Sequence, residues 1–297
     1  MIKIVFLGTS SQIPTKSRNH TSILVETNQD SFLVDCGEGT QRQLKKINFN
    51  VNRISKILIT HWHGDHTLGL VGLLETLNFN ERKKDLTIYG PKGIKNFIFS
   101  FLKTFYFKSE FNLKIEEIGG KFFENEEYFL SAKAMIHSAP CNSYFIQEKD
   151  KFKIDKTKIK NLPFKEELLK NFKEGKNIKF KNKTYSYKDY TSLEKGKKIS
   201  FVLDTSFNKK IISFVKNSDI LICESTFDNS LKEKAKEYLH LTIDDALNIA
   251  KKSNSKRLYL THISQRYEKD FDILEDYAKK NFKETFLAKD FDEILLK

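Results

Sequence analysis

Two packed β-sheets with helices on their outer faces, an α/β architecture, are what this sequence predicts, on three observations. Strand-like apolar runs alternate with amphipathic helical patterns in the first half, the second half repeats that content, and a lysine-rich stretch with little periodicity separates them.

The first-half strands are "IKIVFLG" (2–8), "TSILVET" (21–27), "SFLVDCG" (31–37), "KILITH" (56–61) and "LTIYG" (86–90), short apolar runs bounded by Gly or Asp. Between them "GTQRQLKKI", "LGLVGLLETLNF" and "PKGIKNFIFSFLKTF" carry apolar residues at three and four spacing, and Pro91 is expected to open the last. In the second half "KKISFVLDT" (197–205), "DILICEST" (219–226) and "RLYLTHIS" (257–264) read as strands. "NKKIISFVKN", "TIDDALNIAKKS" and "KDFDILEDYAKK" read as helices, with Thr242 and Asp245 spaced as a capping box.

A hydrophobic content of 39% over 297 residues is ample for a buried core. No apolar run reaches the roughly 18 residues of a membrane-spanning helix, and the N-terminus lacks a signal-peptide pattern, so a cytoplasmic protein is expected. Cys36, Cys141 and Cys223, odd in number and widely spaced, are expected to be reduced and structural. The net charge of +13 points to a polyanionic partner, and it is local: residues 151–196 hold 14 Lys against 6 acids, with seven aromatic residues. That segment is expected to leave the core as an excursion.

The sharpest chemical signal is "ILITHWHGDH", an apolar strand that ends in His61, His63, Asp65 and His66. Imidazole and carboxylate suit zinc, manganese or iron, and two adjacent metals need about six to eight such groups. Three more stand near the ends of other strand patterns: His137 in "AMIHSAP", Asp204 in "FVLDTS" and His262 in "LYLTHIS". Any one alone could be a capping residue; together with the first cluster they give five of the seven histidines one shared role. Trp62 between the first two histidines is expected to face the core.

"THWHGDH" matches the HxHxDH signature of the metallo-β-lactamase fold, and "LGTSSQIPTKSRN", "VDCGEGTQRQL", "HSAPCNSYFIQE", "VLDT", "ESTF" and "THISQRY" extend the likeness along nearly the whole chain. In that order they resemble ribonuclease Z, the tRNA 3′-end processing endonuclease. The resemblance implies an αββα sandwich, a single domain over 1–297, with 151–196 inserted as an arm that grips tRNA. It implies two Zn2+ per subunit, or Mn2+: His61, His63 and His137 on one ion, Asp65, His66 and His262 on the second, Asp204 bridging, and Asp35 ordering the histidine loop from beneath. It further implies attack of metal-activated hydroxide on phosphorus, leaving a 3′ hydroxyl on the tRNA and a 5′ phosphate on the trailer. Asp65 would orient the water, and His240 with Glu224 would supply the proton to the leaving oxygen.

Lys16, Arg18 and Arg266 are the candidates for phosphate contacts, whereas His20 has no assigned role. A homodimer acting on precursor tRNA, away from membranes, completes the expectation. Two departures from the family pattern concern the arm, where "NLPFKEELLKNFKEG" looks helical in place of a Gly-Pro-rich tip, and Ser143-Tyr144, where Gly-Tyr is usual. The competing readings are a small-molecule phosphodiesterase or other hydrolase of the same fold, which would not need the basic arm, and an RNA-binding relative with a dead site.

Overall fold

The computed structural model describes residues 1–160, 162–164 and 166–296. The chain opens with three antiparallel strands, β1 (Ile2–Gly8), β2 (Ser22–Glu26) and β3 (Ser31–Val34). It then switches to parallel addition: α1 (Thr40–Lys46), β4 (Ile54–Leu58), α2 (Gly64–Thr67), α3 (Gly69–Phe79), β5 (Leu86–Gly90), α4 (Ile94–Thr104) and β6 (Leu113–Glu117). A second sheet begins with the antiparallel strands β7 (Gly120–Glu124), β8 (Tyr128–Ala134) and β9 (Asn142–Glu148).

The basic excursion follows as β10 (Lys151–Ile154), α5 (Leu169–Lys173), β11 (Ile178–Phe180), β12 (Lys183–Tyr185), α6 (Tyr187–Tyr190) and β13 (Thr191–Glu194). The chain returns through β14 (Lys198–Val202), α7 (Lys209–Phe214), β15 (Ile220–Glu224), α8 (Lys232–Glu237), α9 (Ile243–Lys252), β16 (Arg257–Thr261), α10 (Phe271–Asn281) and β17 (Thr285–Leu287), and β18 (Glu293–Leu296) rejoins the first sheet beside β1. The two seven-stranded sheets run β18-β1-β2-β3-β4-β5-β6 and β17-β16-β15-β14-β9-β8-β7. Each is antiparallel along one half and parallel along the other, so the second sheet repeats the plan of the first.

Period-two alternation assigns the faces. Ile4, Phe6, Ile23, Val25, Phe32 and Val34 point between the sheets, where they meet Tyr128, Tyr144, Phe201 and Ile222. Val5, Leu7, Leu24 and Leu33 point outward onto Leu70, Leu73, Leu77 and Ile98 of α3 and α4. The second sheet's outer face is covered in the same way by Ile211, Leu247, Ile249, Leu274 and Ala278 of α7, α9 and α10. Burial on both faces explains why the strands read as unbroken apolar runs. The result is the expected αββα sandwich, with each fully buried Leu, Ile or Phe contributing about 1.5–3 kcal/mol.

Several local expectations need correction. Pro91 does not open α4; that helix starts at Ile94 behind Gly93, whose φ of 99° only glycine adopts comfortably. Strand β4 stops at Leu58, so His61 and His63 lie beyond it, and His137 lies beyond β8. The capping box at Thr242 and Asp245 forms as read. Trp62 is half-buried against the outer cluster and stacks on Phe97 at 5.0 Å. All three cysteines are free and buried, and burial pushes the Cys36 and Cys141 thiols up to about 12.

The excursion has a core of its own. Leu169, Phe172 and Ile178 are buried among Phe164, Phe180, Tyr185, Tyr187 and Tyr190, and Phe152 packs edge-on against Tyr187. The seven aromatics therefore pack on one another and hold the segment together. Its helical stretch is short, five residues of α5 after a single 3-10 turn.

Candidate metal centre and its surroundings

Parallel strands leave their C-terminal ends on one edge, and there the loops of both sheets converge. Beyond β4 come His61 and His63, followed by the single turn α2, which carries Asp65 and His66 on its inner side. From the second sheet arrive His137 after β8, Asp204 after β14 and His262 directly after β16. The histidine loop rests on Cys36 and Gly37: Cys36 N–H donates to His66 O at 2.9 Å, and a Cβ on Gly37 would lie 2.3 Å from Asp65 O. Only glycine permits that approach.

The seven donor residues form two groups, and His240 makes a third, overlapping one with Asp204 and His262. His61 Nε2 lies 3.0 Å from His63 Nδ1, and His137 Nε2 lies 3.2 Å from the same atom. In the second group His262 Nε2 lies 3.3 Å from both His66 Nε2 and Asp65 Oδ2. Asp204 stands between them, with Oδ2 3.6 Å from His61 Nε2 and 3.4 Å from His66 Nε2, and Oδ1 3.3 Å from His262 Nε2. Ligands about 2.0–2.1 Å from a tetrahedral ion stand about 3.3 Å apart, the spacing seen here.

These residues fit divalent cations on chemical grounds as well. Asp204 Oδ1 is buried without a hydrogen-bond partner, a costly state that a cation relieves. Burial weighs against the charges of Asp204 and Asp65, yet the surrounding histidines, His262 and His66 above all, hold both carboxyls well below the usual range. Burial keeps His61, His63 and His137 below the ordinary histidine value, hence neutral. Burial works against a charged His66, but Asp204, Asp65 and Asp35 outweigh it and raise its pKa well above the ordinary value. Ionised carboxylates and neutral imidazoles are the forms that bind metal, so His66 would release a proton on binding.

Around the donors sits a supporting layer. Asp35, fully buried with φ 58°, accepts the Thr60 N–H and hydroxyl at 2.7 Å each and His66 Nδ1–H at 2.6 Å. His137 Nδ1–H donates to Leu239 O at 3.1 Å. Glu224 is fully buried at the end of β15, with Oε1 3.1 Å from His240 Nδ1 and 2.9 Å from Thr205 N. Burial works against a charged His240, but Glu224 and then Asp204 outweigh it and raise its pKa to about 9.

These groups open onto a cavity of about 490 Å³, whose wall includes His63, Asp65, His240, Phe227 and Arg266. Arg266 is exposed, with its guanidinium over the Phe227 ring at 5.1 Å. Lys16 is exposed on the loop after β1.

Arg18 corrects the sequence expectation. It is 4% exposed, pairs with Glu268 at 2.8 Å and donates to Ile263 O at 2.6 Å, so its charge is spent inside the protein and cannot meet a phosphate. His20 is buried outside both donor groups, with Nε2 3.0 Å from Gln12 O. Sequence reasoning missed Thr60, Thr226 and Leu239. The first was legible in principle, since a threonine precedes the histidine in "THWH", whereas a carbonyl leaves no mark in a sequence.

Two mixed sheets between helical layers, with a His/Asp donor cluster on their shared edge, define a metallo-β-lactamase-fold protein with a divalent-metal centre. Over 292 residues the chain is 38% identical to ribonuclease Z of Nanoarchaeum equitans, spanning 98% of this chain and 92% of that protein. The chain belongs to the ribonuclease Z family. Among solved structures it is similar to the short form of human tRNase Z, at 27% identity and a TM-score of 0.73 with 99% of each chain covered. The metallo-β-lactamase-fold protein YhfI of Bacillus subtilis shares the fold, at 18% identity and a TM-score of 0.71 over 99% of this chain and 98% of that one. A family model described as anti-Pycsar protein Apyc1 matches residues 2–117.

Proposed function

We propose that this protein is an endoribonuclease that removes 3′ trailers from precursor tRNA with two divalent ions, zinc by the character of the donors. One conjunction carries the reading: a two-group His/Asp donor set opens onto a cavity in a chain whose excess charge lies on exposed lysines of residues 151–196. Among the described residues, only Lys170, Lys176 and Lys195 of that segment have an acidic partner within 4.0 Å. The other described lysines of the segment are exposed and available to phosphates, which is why the segment is read as an arm inserted in a single domain over 1–297, and why a small substrate explains the chain less well.

In this reading His61, His63 and His137 hold one ion, Asp65, His66 and His262 the other, and Asp204 reaches both. Bound ions would supply Lewis-acid stabilisation of the phosphoryl oxygens and lower the pKa of water. Asp65, on the cavity wall, orients the attacking water and takes its proton as the new O–P bond forms. His240 presents its second nitrogen to the cavity while Nδ1 is held by Glu224. An imidazole with a pKa near 9 is protonated at neutral pH, so it donates to the 3′ oxygen as the P–O3′ bond breaks. Arg266 and Lys234 border the same cavity and contact flanking phosphates, with exposed Lys16 farther along the backbone path.

A homodimer and a cytoplasmic location complete the reading; exposed Phe99, Phe105 and Tyr106 on and after α4 support a partner surface. No helix among the described residues is long and apolar enough to cross a membrane.

The test is a 3′-extended precursor tRNA incubated with metal-loaded protein. A single cut next to the discriminator nucleotide, leaving a 3′ hydroxyl and lost in His63→Ala, is expected. Failure to cut would overturn the reading, and a variant lacking residues 151–196 that cuts as well as the full chain would remove the arm from it.

A further inference from the structure

We propose that the hydroxyls of Thr60 and Thr226 are a matched pair of positioning groups, each fixing one histidine, His61 and His262, with Nε2 bare and aimed at a metal. This rests on the two-ion reading above. Asp35 accepts from Thr60 N–H, Thr60 O–H and His66 Nδ1–H, so it is an acceptor at each contact. The single hydroxyl hydrogen of Thr60 is spent on Asp35 Oδ2 at 2.7 Å. The 3.0 Å contact between Thr60 Oγ1 and His61 Nδ1 therefore needs its hydrogen from the imidazole. With Nδ1 protonated, a neutral His61 has a bare Nε2, the atom that faces His63 and Asp204.

The same count holds across the site. Glu224 accepts the Thr226 hydroxyl at 2.7 Å, so the 2.8 Å contact between Thr226 Oγ1 and His262 Nδ1 is again a donation by the ring. His262 Nε2 is left bare toward Asp65, His66 and Asp204. Thr60 and Thr226 are 1% and 5% exposed, so water does not substitute for either hydroxyl.

The placement repeats with the fold. Asp35 directly follows β3 and His61 lies beyond its parallel neighbour β4; Glu224 ends β15 and His262 directly follows its parallel neighbour β16. A carboxylate, a hydroxyl and an imidazole are thus chained once per sheet, at equivalent strand ends. The threonine differs. In the first sheet it precedes the histidine, but in the second the residue in that place, Thr261, has a buried hydroxyl with no partner, and Thr226 has taken its task. Thr226 also lies 3.3 Å from His240 Nδ1, so it joins the acid pair to a metal ligand.

Each hydroxyl touches one donor histidine, His61 in the first group and His262 in the second, so the larger effect of each substitution falls on a different ion. Zinc affinity is measured by chelator competition on the full-length protein, with cobalt absorption as a second readout of ligand geometry. Thr60→Val is expected to weaken one of two bound ions about 10–100-fold, and Thr226→Val the other. Thr226→Ser restores wild-type affinity, and Thr261→Val leaves both ions unchanged. Two ions bound with wild-type affinity and an unaltered cobalt spectrum in Thr60→Val and Thr226→Val would overturn the inference alone, whereas a wild-type protein that binds no ion would overturn the two-ion reading beneath it. Should a valine variant fail to fold, histidine nitrogen NMR on the wild type decides: Nδ1–H tautomers at His61 and His262 are expected, and Nε2–H at either refutes the proposal.

Discussion

Replacing Glu224 by glutamine removes a negative charge 3.1 Å from His240 Nδ1 and keeps an oxygen for the Thr205 N–H. Glu224 is the nearer and stronger of the two carboxylates that raise the pKa of His240, ahead of Asp204 at 3.9 Å, which in the two-ion reading would also face the metals. With Glu224 in place the pKa of His240 is raised to about 9; without it, burial of the ring is opposed chiefly by Asp204, so the pKa drops toward the ordinary histidine value of about 6.5 or below, and a fall to that value would be a change of about 3 kcal/mol. In the proposed mechanism protonated His240 is the proton donor, so the rate should follow its protonated fraction. At pH 8 that fraction falls about 30-fold in Glu224→Gln, while at pH 6 the loss is only about 1.3-fold. The assay is single-turnover cleavage of a 3′-extended precursor tRNA from pH 5.5 to 9.5, with metal content checked at each end. A parallel offset of the two profiles would show that Glu224 acts through something other than the charge on His240.

Arg18→Met is expected to cost about 1–3 kcal/mol in denaturant unfolding, because Ile263 O and Glu268 lose their buried donor, with tRNA affinity little changed. Arg266→Ala should do the reverse, weakening tRNA binding in a filter or anisotropy assay with little change in Tm, since its exposed guanidinium covers Phe227 and makes one hydrogen bond to the nearby Ser264 hydroxyl. Asp35→Asn turns an amide N–H toward one of three donors; a loss of about 2–3 kcal/mol and release of metal during dialysis are expected. Changing Lys173, Lys179 and Lys183 to alanine should flatten the log–log salt dependence of tRNA binding by about 2, with cleavage of a small phosphodiester unaltered.

The fold was legible because both sheets are covered on both faces, which writes the strands as solid apolar runs. Strands β6 and β7 were missed for the opposite reason: each lies at a sheet edge, where Lys114, Glu116 and Lys121 dilute the pattern. The donor residues were legible because their chemistry is rare and their strand-end positions regular. Arg18 was misread because a cation in a polar loop looks the same in sequence whether it faces solvent or, as here, lies under Glu268 and two carbonyls. The arm's aromatics had no readable period because they meet across five short elements and not along one.

His61, His63, Asp65 and His66 hang from the first sheet, and His137, Asp204 and His262 from the second. Between the sheets lies mostly apolar packing, with a few hydrogen bonds such as Tyr128 to Asp30 and Tyr144 to Ile59 O, contacts of the kind a chain can partly open and reclose. Ions held from both sides would rivet that seam, because the sheets could not part without breaking coordination. Neither half could capture the full set early in folding, since His66 and His262 stand 196 residues apart in sequence. Metal uptake would then come last and slow unfolding more than it speeds folding. Loaded protein would outlast the metal-free form under heat or protease, and the centre would serve as a clasp on the sandwich as well as a tool for cutting RNA.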